Sequence, residues 1–359
     1  MSLESDLISL LGSPFVDETN RQFKFTNSER TKLYNLAYKN KVGLFLLNRL
    51  KAIGELSPLE DTYNSDMTRY IETMRTAVDI STKLKQVTNE FAVFKFLKPY
   101  PHTPSDVDVL FFLPKADYSK AVDYLLSNGY LKIGVCPSQT VVYDMRGGLE
   151  QADRRTVGGK EGGKYYIDLY NNVSASHVIY VNKETLINYR IDAKTEIGTI
   201  QTLHPIADLT VVLAHSIIPE QLFTLGDYYT ALYYINGMNR FDLDRLIDLF
   251  RKNHILNCGI TPLFVIGYIH KKVHGSVPEK IEYLIDGFGV RLPSWIDDKG
   301  AFSLPYRYNA KVLLKVLAER MKDKTGLQSI ITQGVCTLNP RLAKWVAYNI
   351  IFRRKRETY

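Results

Sequence analysis

Phe91–Phe112 reads FAVFKFLKPYPHTPSDVDVLFF, two apolar runs around a proline-rich turn, the second opening with Ser105-Asp106-Val107-Asp108. At strand period Val107, Val109 and Phe111 point to one side, while Asp106 and Asp108 share the other. Two carboxylates side by side on a strand otherwise built of Val, Leu and Phe repel each other unless something positive sits between them. A divalent cation with oxygen ligands meets that need. Asp at i and i+2 can hold Mg²⁺ (or Mn²⁺) together with substrate phosphates. The alternative is an edge strand whose wet face carries both acids.

A second apolar run, Tyr165–Tyr170 or YYIDLY, carries one acid, Asp168, at its centre. Two carboxylates from one strand and a third from its neighbour are the ligand set of two-metal phosphoryl transfer. Taken in order, Val93-Phe94-Lys95-Phe96, Asp106-Val107-Asp108-Val109-Leu110 and Ile167-Asp168-Leu169-Tyr170 resemble the nucleotidyltransferase fold of the DNA polymerase β superfamily. Within it, the chain looks most like the uncharacterised nucleotidyltransferases of bacteria and archaea. Their pattern is a strand ending in Leu-Lys-Gly, a strand of Asp-(Ile/Val)-Asp form, and a Val-Asp-Leu-His strand. Leu213-Ala214-His215 and Leu225-Gly226-Asp227 resemble the family's helical His and Asp positions, so the likeness spans Lys83 to Lys272. It implies an α+β fold with a mixed-sheet core, and Mg²⁺-dependent transfer of a nucleoside monophosphate from an NTP such as ATP to a hydroxyl. Asp106 and Asp108 would bridge both metals. Asp168 would hold the catalytic metal and help deprotonate the acceptor. Lys95, Lys98 and Ser105 would lie along the phosphates.

The turn between the two runs departs from that family. Glycines there usually let a short helix begin with its N–H groups facing the triphosphate. Here Phe96 stands in the glycine's place and Pro99, Pro101 and Pro104 follow, removing donors and resisting a helix. Lys95 and Lys98 would have to supply charge instead, and His102 is expected on the loop surface. A glycine-rich basic stretch, Arg146–Lys164, precedes YYIDLY. Its Gly158-x-x-x-x-Gly163-Lys164 is followed by Tyr165 rather than Ser or Thr and leads into a strand, so it is not a P-loop. A hairpin over the acids would let Arg154, Arg155, Lys160 and Lys164 meet phosphates or an RNA backbone.

The 359 residues are 45% hydrophobic and 23% charged, enough for two or three structural units. The net charge of +8 suits a polyanion without requiring one. No run of about 18 apolar residues suggests a membrane span, and the acidic start MSLESD lacks a basic signal region. Cys136, Cys258 and Cys336 have no metal-ligand spacing and read as buried free thiols in a reducing cytoplasm.

Three parts are expected: a helical segment over 1–88, the α/β core over 89–190, and a helical region over 191–359. The first holds a helix near Ser2–Leu11, one opened by the capping box Thr26-Asn27-Ser28-Glu29 and split at Gly43, and a long helix from about Ser65 to Asn89. The core continues with a helix from Pro114 to Gly129 and strands Tyr130–Val135 and Thr140–Met145. Helices are expected from about Asn182 onward, ending in PRLAKWVAYNIIFRRKR, whose basic end, Arg353–Arg356, suits a helix C-terminus. His215 and Asp227 fall on consecutive helices, as a core hydrogen-bonded pair. The acceptor is open: an RNA or tRNA end, a protein side chain or a small molecule. Two other roles share the same residues: a catalytically degenerate protein that binds nucleotide, RNA or a partner protein, and a toxin of a toxin–antitoxin pair.

Overall fold

The computed structural model describes residues 2–16, 23–104, 106–148, 165–289 and 303–338. The expected basic hairpin, with Arg154, Arg155, Lys160 and Lys164, lies outside them, as do Ser105 and the C-terminal PRLAKWVAYNIIFRRKR.

The run behind Asp106 forms β2, Val107–Phe111, the middle strand of a seven-stranded mixed sheet ordered β3-β4-β5-β2-β1-β9-β8. The other strands are β1 (Phe91–Val93), β3 (Tyr130–Val135), β4 (Gln139–Asp144), β5 (Tyr166–Tyr170), β8 (Arg190–Lys194) and β9 (Thr199–Leu203). A short hairpin, β6 (Val173–Ala175) and β7 (Val178–Val181), stands apart from it. Because β2 is flanked by β1 and β5, the edge-strand alternative for Asp106 and Asp108 is excluded.

Strand alternation gives the sheet two different faces. Phe91, Val93, Val107, Val109, Phe111, Ile167 and Leu169 pack against Met74, Ala77 and Ile80 of α4 (Glu60–Leu84) and Ala121 and Leu125 of α5 (Lys115–Ser127). Ala92, Phe94, Leu110 and Tyr170 turn the other way, into the large core shared with the helical parts. That core joins α1 (Leu3–Leu11), α2 (Asn27–Lys39) and α3 (Gly43–Ala52) to α6 (Pro205–Ile217), α7 (Leu225–Gly237), α8 (Arg240–Lys252), α9 (Leu256–His274) and α10 (Glu279–Gly287). A two-stranded pair, β10 (Leu222–Phe223) with β11 (Tyr306–Arg307), precedes α11 (Ala310–Arg320) and α12 (Lys324–Thr337). None of the described helices is long and apolar enough to cross a membrane.

The N-terminal expectations hold closely. Thr26 caps α2 with both bonds of a capping box to Glu29, and α3 begins at Gly43. Three expectations need correction. The first apolar run is expected as a strand over Phe91–Leu97, but β1 ends at Val93, because Lys95 adopts a left-handed φ of 56° that breaks the pleat. α4 runs from Glu60 to Leu84, so Val87 lies beyond it and is exposed. The chain also does not turn helical at Asn182. After two 3₁₀ turns it forms β8 and β9, and β9 joins β1 in parallel through Val93 and Thr202. Buried Ile200, Gln201, Thr202 and Leu203 hold β9 in the sheet, and α6 begins only at Pro205, with His204 capping it.

One buried arginine fastens the C-terminal helices. Arg320 is fully buried, where a guanidinium persists only if its donors are satisfied. It donates to the Ile179 carbonyl at 2.9 Å, the Asn253 carbonyl at 3.1 Å, the Asn182 side chain, and Asp323 at 2.8 Å. Arg320→Ala strands those acceptors and is expected to cost about 3 kcal/mol in urea denaturation. Arg320→Lys should recover only a minor part, since one ammonium cannot serve acceptors on separate segments. A loss below about 0.5 kcal/mol, the level of an ordinary surface change, would contradict this role.

Candidate metal centre

The parallel pairing of β2 with β5 sets Asp108 directly beside Asp168. Paired strands lie about 4.8 Å apart, so their same-face carboxylates are neighbours. Asp106, two residues before Asp108, shares that face. Each of the three offers an oxygen, and these oxygens all lie within 4.8 Å of one another. Asp168 is nearly buried, at 5% exposure, and Asp106 and Asp108 are half-buried. Gln139, at the start of β4, donates through Nε2 to Asp168 Oδ2 at 2.5 Å and fixes that carboxylate.

Lys95 supplies the nearest positive charge. Its Nζ is 3.0 Å from Asp108 Oδ2 and lies over the rings of Phe94 and Tyr170 at 4.8 and 5.2 Å. Its left-handed backbone costs about 1 kcal/mol, offset by its N–H donating to Asp208 Oδ1 at 2.6 Å. The Tyr234 hydroxyl donates to the Leu97 carbonyl at 2.6 Å and lies 3.3 Å from Asp208 Oδ2, with which it shares that one proton; Asp208 itself is buried on α6. Lys95 is thus held on both ends. Burial opposes its charge, but Asp108, Tyr180 and Asp106 together more than restore it, so its pKa is raised and it stays protonated.

Asp108 shows the cost of the cluster. Burial, with repulsion from Asp106, pushes its carboxyl up to about 6 in spite of Lys95 and a hydrogen bond from Tyr170. The donor set is all carboxylate oxygen, which suits Mg²⁺ or Mn²⁺ rather than a metal needing nitrogen or sulfur. These three carboxylates could hold such a cation.

Of the lysines expected along the phosphates, Lys95 is therefore committed to Asp108. Lys98 is half-buried, and burial lowers its pKa against the pull of Asp208 and Asp227. No helix forms between Phe94 and Pro104. His102 is not a surface residue. It is half-buried among the rings of Tyr70, Phe96 and Tyr100, and burial, then Lys98, depresses its pKa to about 3. His215 and Asp227 do not form the expected pair. His215 meets the Tyr180 hydroxyl at 3.1 Å and Glu220 at 3.4 Å, while Asp227 completes a capping box with Thr224. Burial, then Lys95, lowers His215 to about 4, so it is neutral at pH 7. The cysteines are free, but only Cys258 is buried; Cys136 is exposed and Cys336 intermediate. Gln139, Tyr170 and Asp208 were not foreseen as parts of the site. The run YYIDLY placed Tyr170 near it, but nothing local marks Gln139 or Asp208.

Asp108 makes the metal-free protein pH-sensitive. Its folded pKa is raised, so its contribution to stability is complete below the ordinary carboxyl range and is lost as pH rises through about 6. In EDTA, wild type should therefore lose stability relative to Asp108→Asn between about pH 4 and 6.5, read by urea denaturation. A difference that stays flat over that range would show that the carboxylate is not destabilised by its neighbours.

None of the protein-family models, curated proteins or solved structures compared with the chain is significantly similar to it.

Proposed function

We propose that the chain is a metal-dependent nucleotidyltransferase, moving a nucleoside monophosphate from an NTP to a hydroxyl acceptor. The carrying observation is the clustering of Asp106, Asp108 and Asp168, from two adjacent strands, within 4.8 Å beside Lys95. A cluster of that kind raises the energy of the empty fold, and a pure scaffold gains nothing from it. Likeness to the DNA polymerase β superfamily supports the same reading.

Asp106, Asp108 and Asp168 would hold Mg²⁺, which when bound makes a hydroxyl more acidic and offsets charge on a leaving pyrophosphate. The remaining work belongs to the chain. The acceptor oxygen bonds to the α-phosphorus, the bond from that phosphorus to its bridging oxygen breaks, and pyrophosphate leaves. Asp168, held by Gln139, takes the hydroxyl proton. Lys95 balances Asp108 and keeps the ligand set from repelling itself apart.

A second reading has its own support. The segment after β1 is rich in proline and forms no helix, so it lacks a backbone cradle for a triphosphate. A binder of nucleotide, RNA or a partner protein without chemistry follows from that feature.

Titration calorimetry with ATP, CTP, GTP and UTP separates the two. Mg²⁺-dependent binding of at least one NTP is expected, lost in Asp106→Asn/Asp108→Asn while the fold is kept. Turnover should then be sought with RNA, protein and small-molecule hydroxyls. No NTP binding by folded wild type would refute the transferase reading.

A further inference from the structure

Lys41 lies just past the end of α2, at a place where the fold itself favours glycine. Asn40 caps the helix, the Lys41 N–H donates to the Tyr38 carbonyl at 3.0 Å, and the Val42 N–H to the Ala37 carbonyl at 2.9 Å. These are the two bonds of a Schellman helix end, whose residue after the cap is left-handed and usually Gly. Lys41 has a φ of 60° there. A second lysine, Lys95, is left-handed beside the acids, and non-glycine strain of this kind collects at functional sites.

The surroundings set Lys41 against the start of α7. The Gly226 N–H donates to the Asn40 carbonyl at 2.9 Å, and a Cβ on Gly226 would sit 3.1 Å from Lys41 Cβ. The lack of a side chain at Gly226 thus lets the end of α2 press onto the start of α7. On that same turn, the Gly226 carbonyl accepts from Tyr100 at 2.8 Å, which anchors the segment carrying Lys95 and Lys98. Lys41 is solvent-exposed, yet Glu220, Asp227, Asp106 and Lys95 all act on its charge, through space and not by a hydrogen bond. Its ammonium thus feels charges carried by four separate segments of the chain, one of them the segment of Asp106. Nearby protein partly shields the ammonium from water and works against its charge, and the three carboxylates more than restore it.

We propose that Lys41, delivered by the N-terminal helices, binds the polyphosphate of the substrate at the rim of the acidic cluster, supplying the anion contact that the proline-filled turn cannot make. The proposal builds on the nucleotidyltransferase reading, in which the polyphosphate belongs to an NTP. Lys95 cannot take this part while it is tied to Asp108. It follows that the N-terminal helices complete the site rather than only supporting the sheet.

The test compares wild type, Lys41→Gly, Lys41→Arg and the exposed control Lys32→Gly in calorimetric titrations of Mg²⁺-tripolyphosphate and of each NTP. Mn²⁺ binding and thermal melting are measured in parallel. Glycine suits the helix end, so Lys41→Gly should melt no lower than wild type and bind Mn²⁺ equally. Its tripolyphosphate affinity should fall about ten- to a hundredfold, the scale of a lost charged hydrogen bond, with Lys41→Arg restoring most of it. Unchanged affinity in Lys41→Gly, an equal fall in Lys32→Gly, or no tripolyphosphate binding by wild type would each overturn the proposal. Tripolyphosphate binding that depends on Lys41, without binding of any NTP, would uphold the anion site and remove the nucleotide reading instead.

Discussion

The parallel pairing of β2 with β5 is the constraint on which the rest depends. Its register makes Asp108 and Asp168 neighbours, and strand alternation adds Asp106 on the same face. A one-residue slip of β2 would turn Asp106 and Asp108 over, away from Asp168, and drive both carboxylates into the apolar layer against α4 and α5. Val107, Val109, Ile167 and Leu169, fully buried on that layer, make such a slip prohibitive. The apolar face thus fixes the register, and the register builds the site.

Grouping three acids at the middle of a sheet has consequences for the segments around it. Lys95 answers Asp108 only because its backbone turns left-handed, and that turn ends β1 after three residues. Asp208 then accepts the Lys95 N–H, and Tyr234 ties Asp208 to the Leu97 carbonyl. In this way α6 and α7 hold the segment that carries Lys95. Gly226 on α7 admits the end of α2, so the N-terminal helices pack on the start of the same helix. The acidic cluster is the point at which the helical parts and the sheet depend on one another.

Much of this was legible in the chain. The alternation of Val107, Asp108 and Val109 gave both the strand and the face of its acids, and YYIDLY gave the partner strand. The capping box at Thr26 and the helix ahead of Gly129 carried local signals strong enough to survive packing. What could not be read was set by tertiary contact. β8 is short and largely exposed, and its pattern becomes a strand only by pairing with β9, itself held by β1. Phe94-Lys95-Phe96 alternates like a strand, but the Lys95–Asp108 pair overrides that period. Gln139 and Asp208 are ordinary polar residues in sequence, far from the acids, and only the fold brings them to Asp168 and Lys95.

The account stands or falls on whether the three carboxylates hold a divalent cation. Mn²⁺ titration followed by electron paramagnetic resonance, on wild type, Asp106→Asn and Asp168→Asn, addresses this most directly. Saturable binding by wild type, weakened at least about tenfold in each variant at unchanged melting temperature, is the predicted result. Wild type that binds no Mn²⁺, or binds it as well without these acids, would contradict it.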